Sequence, residues 1–150
     1  MVHFGQIPKN VIAEMTAIFG PPTADSGWVE EPLCAGELNR FVEFGVERFD
    51  LQLIFTDGDL FATDKAHFYA YRYNGVTPVP VAPPELTVGT TIAQLQDLYP
   101  GVEIMESPWV GGEYVFQYIA AEYEWLYGNL TGNGLDDTVT SIEGGIGCAE

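Results

Sequence analysis

Positive charge is what this chain has least of. Five lysines and arginines stand against 22 acids, a formal net charge of −17 over 150 residues. A field of that sign repels phosphate backbones and anionic headgroups, so nucleic acid and anionic membrane surfaces are poor partners. Histidine is nearly absent: His3 and His67 are the whole supply, which leaves histidine-based acyl transfer little to work with. His67 heads a predicted strand, where a structural role is expected. No CxxC and no Cys/His cluster exists, so nothing points to zinc. No apolar run approaches the roughly 20 residues of a membrane-spanning helix, so no membrane insertion is expected. No leader is visible before the first predicted structure at His3-Phe4-Gly5.

Catalytic signatures are missing as well. Ser26, Ser107, Ser141 and Cys34 are the available nucleophiles, and none sits in a G-x-S-x-G elbow. Gly144-Gly145-Ile146-Gly147 lies near the C-terminus with no helix after it, so it is not a phosphate cradle. Asp57-Gly58-Asp59 with Asp64, and Asp136-Asp137, lack the ligand pattern of a calcium loop and are what turns require. Carboxylate pairs such as Glu30-Glu31 and Glu122 with Glu124 would need an apolar pocket to divide acid and base roles, and in so acidic a chain pairs arise by chance. The sequence therefore implies no cofactor, no metal and no catalytic residue.

What is present is globular. Apolar residues make up 47%, including 9 Phe, 8 Tyr and 3 Trp, enough for one compact unit of this length to build its own core. The clearest local motif is Thr87 to Gly101. Thr91 and Gln94 fit a capping box, Ile92, Leu95, Leu98 and Tyr99 form an apolar face, and Pro100-Gly101 ends the helix. An earlier segment, Val2 to Pro22, has the same grammar: a glycine, a helix from about Pro8 to Phe19, then Gly20-Pro21-Pro22. Its apolar stripe is Val11, Ile12, Met15, Ile18 and Phe19. A loop holding Trp28-Val29 follows, with Trp28 expected to plug the core, and Ser107-Pro108-Trp109-Val110 echoes it.

Strands are expected from Arg40 to Val46, Phe49 to Phe55, His67 to Tyr73, Val102 to Met105, Glu113 to Ile119, Tyr123 to Thr131 and Thr138 to Ile142. Four prolines in residues 78–84 make a semi-rigid connector. These elements predict an α+β fold of two tandem repeats, each a helix followed by an antiparallel β-meander, with the helices packed on one side of the sheet. The repeats would span residues 1–76 and 87–150, joined by residues 77–86, in one compact unit.

Tyr69, Tyr71 and Tyr73 alternate onto one predicted strand face, and Trp125 and Tyr127 lie on another aromatic strand. Tyrosine and tryptophan give large contact area at low entropic cost, so these five are the candidate binding residues. Cys34 and Cys148 each sit in a loop-like setting; a disulfide between the halves is the preferred reading, two separate thiols the other.

Phe4-Gly5, Val11 to Pro22, Asp25 to Val29, Cys34, Phe55 to Gly58, Val88 to Ile92, Leu98 to Gly101 and Ser141 to Gly145 with Cys148 together resemble uncharacterised exported two-repeat proteins of actinobacteria, over nearly the whole chain. The tandem layout is also similar to the β-lactamase inhibitory protein and to outer-membrane lipoproteins of the SmpA/OmlA type, folds that serve protein binding. The inhibitory protein has a disulfide within each half, whereas each half here holds one cysteine, so its target is not carried over. The resemblance implies export, to the exterior or the cell envelope. The expected function is that of an exported non-enzymatic protein binding another protein or an envelope component through an acidic, aromatic sheet face. The alternatives are a small-molecule or glycan-binding module and, behind it, a carboxylate-based hydrolase.

Overall fold

Leu51, Leu53 and Phe55 are wholly buried along β3 (Leu51–Thr56) while Gln52 between them is half-exposed. That period of two turns the three to one face of a strand, with Ile54, also buried, on the other. The same logic runs through the computed structural model, which describes residues 1–45, 50–78, 81 and 86–148. The chain order is α1 (Pro8–Phe19), β1 (Ala24–Glu30), β2 (Leu38–Phe44), β3, β4 (His67–Tyr73), α2 (Ile92–Leu98), β5 (Glu103–Glu106), β6 (Tyr114–Ala121), β7 (Glu124–Leu130) and β8 (Val139–Gly145).

The fold expectation requires correction. The chain does not form two tandem helix-plus-meander repeats. Among the described residues eight strands join one antiparallel sheet in the order β1-β2-β3-β4-β8-β7-β6-β5, and two helices are short, 12 and 7 residues. Sheet dominates, and its ladder runs unbroken across the middle: Ala70 pairs with Gly145, Tyr71 with Gly144, Arg72 with Glu143 and Tyr73 with Ile142. A four-stranded meander ending at β4 would leave a bare row of backbone donors and acceptors, and β8 covers it. The close approach is allowed by glycine. A Cβ on Gly144 would overlap the Tyr71 ring, and one on Gly145, at φ 80°, would meet the Tyr69 carbonyl.

Both helices pack on one face. Val11 and Met15 of α1 and Ile92 and Leu95 of α2 share a core cluster with Leu53, Phe68, Tyr71, Phe116, Leu126 and Ile142. Ile18, expected on the α1 stripe, is exposed. The N-terminus of α2 carries the full capping box, Thr91 Oγ1 accepting from Gln94 N and Gln94 Oε1 accepting from Thr91 N.

The opposite face is treated unequally. Over the first four strands it is roofed: Ile54, Tyr69 and Ala70 are buried beneath Ala35, Leu60, Phe61 and Ile146. Over β6 and β7 it carries the exposed apolar residues Ile119 and Trp125. The segment read as a loop around Trp28 is the edge strand β1. Its register slips between Asp25 and Trp28, because Gly27 takes φ 64° and the Ser26 hydroxyl accepts from Phe41 N in place of a backbone carbonyl. That bulge hides the strand period. Trp28, expected as a core plug, is 38% exposed. Of the expected connector, residues 79, 80 and 82–85 lie outside the described residues, as do Val46 and Phe49 at expected strand ends; Val81 forms a parallel bridge to Val2.

Candidate binding surface

The three tyrosines of β4 do not form a binding face. Tyr69 is 0%, Tyr71 3% and Tyr73 1% exposed. They also do not share a side. Ile54 pairs with Ala70 but Phe55 with Phe68, which leaves Tyr69 as the extra residue of a bulge. Tyr71 and Tyr73 point with Phe68 into the helix-side core, and Tyr69 points the other way. The Tyr69 hydroxyl donates to Asn39 Oδ1 at 2.8 Å, and burial pushes its phenol up to about 12. Burial also raises Tyr71 and Tyr73, and the Tyr73 hydroxyl donates to the Thr77 carbonyl. All three are core groups, and the hydroxyls of Tyr69 and Tyr73 are satisfied there.

Trp125 and Tyr127 are placed differently. Leu126 between them is buried in the helix-side core, so the alternation of β7 turns both rings to the unroofed face. Trp125 is 45% exposed. Directly opposite it on β6 is Ile119, 53% exposed, and opposite Tyr127 is Gln117. A further ring joins them from the β5–β6 connection. Trp109 stands edge-on to Tyr127 at 6.5 Å and 79° and is 79% exposed. Its loop is held by its own hydrogen bonds: Ser107 Oγ accepts from Trp109 N and Val110 N, Gly112 N donates to Glu106 Oε1, and Ser107 N donates to Glu113 O. The indole is thus carried on an ordered hairpin. Trp109, Ile119, Trp125 and Tyr127 form one open aromatic shelf, of which the sequence identified the two β7 rings. In sequence Trp109 shows only as the echo of Trp28; its position five residues before β6, a strand with alternating outward positions, is the available signal.

The electrostatics of the shelf are one-sided. No lysine, arginine or histidine follows Arg72 in the sequence, while half of the acids do. Glu103, Gln117, Tyr127 and Glu143 lie in register across four neighbouring strands, on the same side as the shelf. Glu143 meets Arg72 at 3.5 Å, both side chains well exposed. A second side-chain ion pair among the described residues, Arg40 with Asp25 at 2.6 Å, is at the far edge; the Arg40 hydrogen bond holds the Asp25 carboxyl below its usual range.

Groups that suggested chemistry are engaged in structure. His67 is buried, its Nε2 accepting from Phe61 N and its Nδ1 donating to the Lys65 carbonyl. Ser26 and Ser107 hold their loops as described, and Ser141 Oγ accepts from Asn129 Nδ2 at 2.8 Å. Asp57 Oδ1 accepts from Glu37 N and Leu38 N, Asp59 Oδ1 from Asp64 N, and Asp137 takes Thr131 Oγ1 and Gly134 N. Among the described residues no three metal-ligating side chains converge. Cys34 and Cys148 form a disulfide. It ties residues 31–36 to the tail after β8, over the Tyr69 hydroxyl. Among the described residues no helix is long and apolar enough to cross a membrane.

No family model, curated protein or solved structure matches this chain.

Proposed function

We propose that this is an exported binding protein, not an enzyme, and that its working surface is the aromatic shelf on the unroofed half of the sheet. The observation that carries this is the exposure of Trp109, Ile119 and Trp125 together on one sheet face, beside a first half whose corresponding face is roofed. Contiguous exposed apolar surface of this kind marks interaction sites, and tryptophan and tyrosine are the residues that dominate binding energy when desolvated. The partner is a protein or an envelope component. Export is supported by the Cys34–Cys148 disulfide, a bond that persists in oxidising compartments. A glycan is the second reading; the Gln117 amide beside the Tyr127 ring is the pairing that favours it.

The test is capture from the extracellular fraction of the source organism on three immobilised forms: wild type, Trp109→Ala/Trp125→Ala, and Trp28→Ala as a control on the opposite edge. Wild type and the control are expected to retain the same component and the double variant to lose it. Equal retention on all three would place the binding elsewhere.

A further inference from the structure

Resting on the shelf as the binding surface, we infer that its occupant is a cationic, extended protein segment in which basic residues are spaced by apolar ones. Three observations carry this. First, the half of the chain that builds the shelf contributes no lysine, arginine or histidine, and half of all the acids. A second copy of this chain would bring the same field and be repelled, and anionic lipids, nucleic acids and acidic glycans are disfavoured alike.

Second, the acids are placed on the shelf. Glu103 lies opposite Gln117, Gln117 opposite Tyr127 and Tyr127 opposite Glu143, so two carboxylates bracket Gln117 and the Tyr127 ring on one line across four strands. Three strand spacings separate them, about 14 Å. An extended chain advances about 3.4 Å per residue, so a segment lying across the strands would offer a cation to each carboxylate about every fourth residue. The Arg72 that meets Glu143 is half-exposed, and an exposed pair of that kind is worth little to break or exchange.

Third, the rings on and beside that line suit a cation's approach. Trp109 is 79% exposed, held by an ordered loop and edge-on to Tyr127, which leaves indole surface to receive a guanidinium by cation–π contact while the aliphatic stems and spacer residues cover Ile119 and Trp125.

Fluorescence anisotropy with a labelled synthetic peptide tests this. The peptide carries arginine at every fourth position with valine and threonine between; a second carries glutamate at those positions, and a neutral β-linked oligosaccharide is the third probe. Each is titrated into wild type, Trp109→Ala/Trp125→Ala and Glu103→Gln/Glu143→Gln, with folding of each variant checked by its urea midpoint. The arginine peptide is expected to bind wild type, at least about tenfold more weakly to the tryptophan variant, and more weakly with a shallower salt dependence to the glutamine variant. The glutamate peptide is expected not to bind. Equal binding of the arginine peptide to wild type and the tryptophan variant would show diffuse attraction to an acidic protein and overturn the inference, as would no binding at all. If the oligosaccharide alone binds wild type and is lost with the tryptophans, the cationic partner is wrong while the shelf stands. Retention of the captured natural partner by the tryptophan variant would instead remove the shelf itself.

Discussion

At the scale of single residues, Tyr69 shows how a side chain that resembles a binding group becomes a structural one. Its ring is buried under the roof of the first half and its hydroxyl donates to Asn39, itself fully buried. Asn39 in turn donates to the Ala35 carbonyl at 2.9 Å, so the pair holds the loop that carries Cys34. Tyr69→Phe would leave Asn39 Oδ1 without its donor, at a cost of about 1–3 kcal/mol, read as a lowered urea midpoint. The pH dependence follows from the same burial. The folded phenol is raised from 10 to about 12. Its contribution is therefore complete below pH 10 and is lost as pH rises through the folded value. The stability gap between wild type and Tyr69→Phe is expected to shrink across that window; a gap constant to high pH would contradict the burial of the phenol.

At the scale of elements, the meeting of β4 and β8 is the decisive pairing. Gly144 lies beneath the Tyr71 ring, so Gly144→Ala forces the ring or the strand to move and is expected to cost about 1–3 kcal/mol. Gly111→Ala, with nothing near its Cβ, is expected to stay within about 0.5 kcal/mol of wild type. Denaturant titration of the two variants checks this, and equal midpoints would mean the seam is looser than described. Elements were legible in the sequence wherever a regular period or a cap spelled them. Proline at the start of α1, the Thr91–Gln94 box and the alternation of Leu51, Leu53 and Phe55 are local signals. What stayed hidden was non-local or irregular. The bulges at Gly27 and Tyr69 break the period of two, which gives β1 the look of a loop in sequence and turns Tyr69 away from Tyr71 and Tyr73. The single sheet could not be read from two similar-looking halves, because the β4–β8 pairing joins residues some seventy positions apart and leaves its trace only in the small residues Gly144 and Gly145.

At the scale of the whole molecule, the Cys34–Cys148 bridge spans 114 residues and pins the C-terminal tail across the first half of the sheet. Reduction, or Cys34→Ser/Cys148→Ser, is expected to lower stability by about 2–4 kcal/mol, measured by thermal unfolding with and without reductant; an unchanged transition would show that the roof over Tyr69 holds without it. With that roof in place, the exposed aromatic residues of the sheet's free face are concentrated on the other half. Of the five binding residues chosen from sequence, Trp125 and Tyr127 are there and the β4 tyrosines are not, since strand alternation locates a face but burial depends on which loops return to cover it. The most direct measurement is the binding isotherm of the captured partner on wild type, Trp109→Ala, Trp125→Ala and Trp28→Ala. Each shelf substitution is expected to weaken binding about tenfold or more with Trp28→Ala unchanged; superimposable isotherms for all four proteins would contradict the assignment of the shelf as the binding surface.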